Sequence, residues 1–211
     1  MTKRALLAGL LGGIVMFVWS SLAHMVLPLG EAGVKEIPSE PAVLKVMQES
    51  IGRVSGFYIF PGMGLRPDST KEEKHAAMQQ YEQKLATNPS GILIYHPPGT
   101  GLMMPERLAT EFVTELTESL LVVILLVQTR LTSFASRLGF VVGAGVLAAI
   151  TTNIPYWNWY GFPASFTLAQ IVEHVVGFGL MGAVIAAIIK PVAGPPKDSS
   201  KERMTTTAID S

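Results

Sequence analysis

The sequence predicts a mainly α-helical membrane protein: a four-helix transmembrane bundle with a small α/β extracytoplasmic insert between helices 1 and 2. Three observations carry this. Four apolar blocks approach the ~20 residues needed to cross a hydrocarbon core of ~30 Å. Charged residues make up only 15% of the 211-residue chain, well under the ~25% of an ordinary soluble domain, and mean hydropathy is +0.39. Nearly half of the charges, 15 of 32, are gathered in one stretch, 29–103. The predicted divisions are a first span at 1–28, the insert at 29–103, spans two to four at 104–190 and a disordered cytoplasmic tail at 191–211.

The first span follows Lys3 and Arg4 and runs through an apolar block to about Pro28. A signal peptide is the competing reading, with Lys3 and Arg4 as its basic end and Ser21-Leu22-Ala23 as a small-residue cleavage site. Against cleavage, the apolar run continues through Met25, Val26 and Leu27. Gly9 and Gly13 also form a GxxxG face of the kind that lets helices pack closely.

The insert reads as helix, strand, helix, strand. Ser39-Glu40-Pro41 opens a helix with Val43, Leu44, Val46, Met47 and Ile51 on one side. Gly56 to Phe60 reads as a strand ended by Pro61-Gly62. Ser69-Thr70-Lys71-Glu72 reads as a capping box, opening a polar helix that stops at Asn88-Pro89. Gly91 to His96 is the second strand. A core of this size is marginal, so the insert is expected to pack down on the bundle.

The second span begins near Pro105 and ends at Arg130; its uncharged part is too short to cross alone, so Glu111, Glu115 and Glu118 fall within or at the edge of the membrane. The third span runs from Leu138 to about Asn153, with Gly139 and Gly143 as a second small-residue face. Residues 155–163, with two Trp and two Tyr between prolines, read as an aromatic belt at the interface. The fourth span runs from about Ser165 to Ile189. The basic flanks (Lys3/Arg4, Arg130/Arg137 and Lys190 with the tail) fall on one side of such a bundle. By the positive-inside rule both termini are then cytoplasmic, with the insert and the aromatic turn outside.

Each span carries a polar group in its outer part. Counting ~1.5 Å per residue from the cytoplasmic anchors, His24 lies ~30 Å up, Glu115 ~22 Å, Glu118 ~18 Å, Asn153 ~24 Å, and Glu173 and His174 ~25 Å. Ionisable groups cost ~2.5–3.5 kcal/mol each at the centre of a span, so they usually face the bundle interior. Glu111, Glu115 and Glu118 share one helical face at i, i+4 and i+7, flanked by Thr110, Thr114 and Thr117. The plain reading puts Glu111 and Glu115 at headgroup level, solvated, and leaves Glu118 as the carboxylate nearest mid-depth. Glu118 is expected to face Glu173 or His174 across the bundle. The candidate ligand or proton site is therefore His24, Glu111, Glu115, Glu118, Asn153, Glu173 and His174. Its plain alternative is an interhelical His–Glu hydrogen bond that fixes the bundle.

Several function classes drop out. With no cysteine there are no disulfides, thiolate metal sites or cysteine nucleophiles. Acids and bases balance at 16 each, so no global charge points to nucleic acid. Phosphate-binding glycine loops, GxSxG and HExxH are missing. The Glu-x-x-His spacing of carboxylate-bridged di-metal bundles is also missing. A haem between His24 and His174 needs both at one depth, and they differ by several Å on this count. No catalytic residue, metal or cofactor is assigned.

Trp19 to Met25 with Leu27 to Gly33, then Phe57 to Gly62, and later Asn153 to Pro163 together resemble an uncharacterised family of small bacterial inner-membrane proteins. The resemblance covers most of the chain except the tail. It implies a multi-pass inner-membrane location and a periplasmic insert, and no activity. The expected function is a non-catalytic accessory or binding protein, partnered by the lipid bilayer and by further copies or a larger membrane complex through the GxxxG faces. The alternative is a small transporter or a metal- or haem-binding redox protein using the polar layer.

Overall fold

The computed structural model describes residues 2–101 and 103–189; Lys190 and the tail expected at 191–211 lie outside them. Six helices and two strands follow in the order α1 (Lys3–Met25), α2 (Glu40–Ile51), β1 (Gly56–Phe60), α3 (Lys71–Thr87), β2 (Gly91–Tyr95), α4 (Met104–Val127), α5 (Phe134–Tyr160) and α6 (Ala164–Ile188).

Among these, α1, α5 and α6 are long and apolar enough to cross a membrane. The expected four-helix transmembrane bundle is thus narrowed to three candidate spans. α4 has the length, 24 residues, but Glu106, Arg107, Glu111, Glu115 and Glu118 dilute its apolar character. The outer surfaces of these helices fit a lipid solvent. Leu147 is 68% exposed, Leu168 62% and Val113 60%, a density of bare aliphatic side chains that water-facing surfaces rarely carry.

Glycines set the packing. α1 runs antiparallel to both α4 and α6. A Cβ on Gly13 would fall 2.7 Å from the Leu116 Cα, and one on Gly9 2.6 Å from Leu120 Cδ2. Phe17 meets Phe112 edge-on at 5.2 Å. The first GxxxG face is therefore an internal contact between α1 and α4. On the other side of α1, Gly177 of α6 leaves room for Met16 and Trp19. α5 and α6 form a second antiparallel pair, with Gly145 under Phe178 and Gly182 against Val141. The second predicted small-residue face is different: nothing lies within 4 Å of a Cβ on Gly139 or Gly143. The core joins Ala5, Ala8, Met16, Val122, Val123, Leu126, Val141, Phe178, Met181 and Ile185.

Element ends correct the sequence reading in three places. The capping box sits one residue later than expected. Thr70 Oγ1 accepts from Glu73 N, and Glu73 Oε2 accepts from Thr70 N at 2.7 Å; Ser69 Oγ instead accepts from Arg66 N. The first helix stops at Met25 rather than near Pro28. The third span does not end at Asn153. α5 continues through Pro155 to Tyr160 and closes on Gly161, whose φ of 70° places it in the left-handed region where glycine bears no Cβ penalty. Proline removes one N–H from the helix ladder and often ends the helix. Here the aromatic segment carries on with Tyr156 stacked 5.8 Å from Tyr160 and 5.4 Å from Phe162.

The insert is built on an antiparallel pair, with Gly56 opposite Tyr95 and Phe60 opposite Gly91. It touches the helices through Phe57, 6.0 Å from Tyr160, and through Gly33, where a Cβ would press on Ser165 and Phe166. α2 and α3 bury none of their residues.

Candidate functional site

The outward direction of the α1, α4 and α6 side chains builds one polar layer. Helical side chains lean toward their own N-terminus. α4 and α6 both start at the insert end, so Glu115 and Glu173 reach up toward the insert from below. α1 runs the other way and brings Trp19, Ser20 and His24 to the same level.

Glu173 is the best-held member. Its side chain is 7% exposed, and Oε1 lies 3.1 Å from His24 Nδ1. Its backbone carbonyl accepts a 2.9 Å hydrogen bond from Trp19 Nε1. His24 Nδ1 is also 3.0 Å from the Ser20 carbonyl. A carbonyl only accepts, so Nδ1 carries the hydrogen and is shared between the two oxygens. The imidazole is half open, 51% exposed.

Glu115 lies deeper, 5% exposed. Glu111, Glu118 and Glu173 are within its electrostatic range, and the Ser20 hydroxyl faces its carboxyl. One turn below, Ser119 is fully buried; the missing Cβ of Gly12 lets its Oγ approach α1, beside Met181 and Ile185. Among the described residues, Glu115 Oε2, Glu173 Oε2 and Ser119 Oγ are buried without a hydrogen-bond partner. Leaving such atoms unpaired costs ~1–3 kcal/mol each. Beneath Ser119 the interior turns apolar, through Val122, Val123, Met181 and Ile185 to Leu126.

The seven predicted site residues divide accordingly. His24 and Glu173 touch. Glu115 is buried against Ser20 of α1 and in electrostatic range of Glu173, in place of the solvated headgroup-level position that the plain sequence reading expects. Glu118 is half-buried and within electrostatic range of His174. His174 spends its Nδ1 on the Gln170 carbonyl at 2.8 Å. Glu111 is exposed. Asn153 is buried, but its Nδ2 donates to Ala149 O of its own helix at 3.0 Å. The threonines Thr110, Thr114 and Thr117 are exposed and bond back to carbonyls of their own helix. Among the described residues no three His, Asp or Glu side chains form a group able to hold a metal ion.

Three contributors escaped the sequence reading: Trp19, Ser20 and Ser119. Their signal was helical spacing. Ser20 lies one turn before His24, and Ser119 one turn after Glu115, on the same faces.

The chain matches no family model, no curated protein and no solved structure.

Proposed function

We propose that the chain is an integral membrane protein of four spans, α1, α4, α5 and α6, acting as a non-catalytic binding protein whose ligand site is the polar layer beneath the insert. The observation that carries this reading is the pair of buried carboxyls, Glu115 and Glu173. They come from separate helices, lie within electrostatic range of one another, and each keeps an unpartnered oxygen. α4 joins the spans on two grounds. Its 24 residues reach ~36 Å at ~1.5 Å per residue, and its charged side chains cluster toward the insert end while Leu121, Ile124 and Leu125 stay exposed. With four spans, Lys3, Arg4, Arg130 and Arg137 share the cytoplasmic side and the insert lies outside. A bacterial inner membrane fits that arrangement. The apolar packing below Ser119 favours binding over passage through the bundle. The exposed apolar residues of the insert, Phe57 and Ile59 among them, suit an accessory role toward a partner.

The absence of cysteine gives a clean test. Asn88→Cys in the insert and Thr132→Cys in the α4–α5 turn, each in the full chain in cells, are treated with an impermeant maleimide. Asn88→Cys labels from outside and Thr132→Cys only after the membrane is opened. Labelling of both from one side takes α4 out of the membrane and ends the reading.

A further inference from the structure

We infer that the layer takes up one small monovalent cation at Glu115, exchanged with the extracytoplasmic side past His24. The inference rests on the four-span reading and names the ligand class of the same site. The first argument is charge. Glu173 has the His24 imidazole 3.1 Å away. Glu118 has His174 in range, and Glu111 stands in the open. Glu115 is the buried acid with no His, Lys or Arg in its electrostatic range: only other acids and the Ser20 hydroxyl act on it. A single negative charge in an apolar layer calls for a single positive one, since an uncompensated buried ion costs several kcal/mol.

The second argument is donor chemistry. Apart from Arg137 Nη1 at the far end of the bundle, the unpartnered buried side-chain atoms among the described residues are the oxygens of this layer: Glu115 Oε2, Glu173 Oε2 and Ser119 Oγ, with the Ser20 hydroxyl facing the Glu115 carboxyl. Oxygen-only sets suit hard cations. A divalent ion would need more carboxylates than the layer brings together, in line with the lack of any three-residue metal group among the described residues. A proton and an alkali-metal ion share this chemistry.

The third argument is access. Above Glu115 stands the Glu173–His24 pair, whose imidazole is half exposed. Below Ser119, Met181, Ile185 and Val123 are fully buried and apolar. Exchange therefore runs through the insert side only.

The test uses the full chain in lipid nanodiscs, with melting followed at constant ionic strength in sodium, potassium or choline chloride, each at acid and neutral pH. An alkali ion as occupant raises Tm by a few degrees in sodium or potassium over choline. Glu115→Gln abolishes that shift and Glu111→Gln keeps it. A proton as occupant gives no difference between salts and a pH dependence of Tm that Glu115→Gln removes and Glu111→Gln keeps. Should Glu115→Gln not fold, Ser119→Ala serves, with a weakened response expected. For sidedness, proteoliposomes captured through Asn88→Cys are given the cation, or the pH step, outside or inside. Trp fluorescence responds to the outside change alone. A wild-type Tm indifferent to salt and pH overturns the inference, as does a response that survives Glu115→Gln, or one driven from inside. Each leaves the labelling result for α4 standing.

Discussion

His24 of α1 and Glu173 of α6 meet at 3.1 Å, Nδ1 to Oε1, five residues beyond the point where Trp19 of the same helix bonds the Glu173 carbonyl at 2.9 Å. α1 thus grips one residue of α6 twice, by its backbone and by its side chain. The Trp19 grip depends on Gly177, because a Cβ there would sit 2.9 Å from Trp19 Cδ1.

A double-mutant cycle on His24→Ala and Glu173→Gln should give a coupling of about 1 kcal/mol, within the ~0.6–1.7 kcal/mol range of interhelical polar pairs in membranes. Trp19→Phe removes only the N–H and should cost about 0.5–1.5 kcal/mol. Unfolding in mixed detergent micelles measures both. A coupling indistinguishable from zero would mean that the His24–Glu173 contact contributes nothing to holding the helices together.

The three acids of α4 should separate by depth. Glu115→Ala empties a buried volume while the Ser20 hydroxyl keeps its bond to the Phe17 carbonyl; the cavity should cost about 2 kcal/mol, at the low end for emptied core positions, because an unpartnered carboxyl oxygen goes with the side chain. Glu118→Ala, half-buried, should lie in between. Glu111→Ala, exposed, should stay within about 0.5 kcal/mol of wild type. Equal melting temperatures for all three would make the stripe a solvated flank.

Much of this arrangement is legible in the residues, and the failures have physical causes. Long apolar runs announce α1, α5 and α6 because a bilayer demands an unbroken length. α4 is ambiguous to composition because its acids face inward or cluster near one end, and a hydropathy average does not distinguish directions. Counting 1.5 Å per residue from Arg130 orders Glu111, Glu115 and Glu118 along the helix, but depth alone does not say which of them faces α1. That depends on Gly9 and Gly13 meeting Leu120 and Leu116, a pairing between helices that no local pattern encodes. The same holds for Ser119, an unremarkable serine until Gly12 is placed opposite it. Pro155 misleads for a different reason: its propensity to end a helix is overridden by the aromatic packing of Tyr156, Tyr160 and Phe162.

The two GxxxG faces should respond oppositely to substitution. Gly13→Ala drives a methyl group against the α4 backbone at Leu116 and Glu115, where no side chain can swing aside. A loss of about 1–3 kcal/mol is expected. Gly143→Ala meets nothing within 4 Å and gains the helix propensity of alanine, up to ~1 kcal/mol. If Gly143→Ala instead destabilises the protein in lipid and shifts its size on native gels, that face packs against another copy.

At the opposite end of the bundle from His24, Arg137 and Arg130 share the α4–α5 turn, but only Arg137 is buried, 6% exposed. Its Nε donates to Ser133 O at 3.1 Å and its Nη2 to Thr132 O at 2.5 Å, so one guanidinium closes the α4–α5 turn while Ser133 caps α5 through Ser136 N. Hydrogen bonds to charged groups contribute about 1.5–3 kcal/mol, and Arg137→Ala should cost about that much. Arg137→Lys should recover only part of it, because an ammonium lacks the planar fork that reaches two carbonyls together. Arg130→Ala, on an exposed side chain, should stay within about 0.5 kcal/mol. Orientation gives an independent readout: Thr132→Cys should stay protected from outside reagent in the Arg137→Lys background, since the positive charge remains. Matching losses for Arg130→Ala and Arg137→Ala would show that the turn is held by net charge alone and that the two carbonyl bonds are incidental.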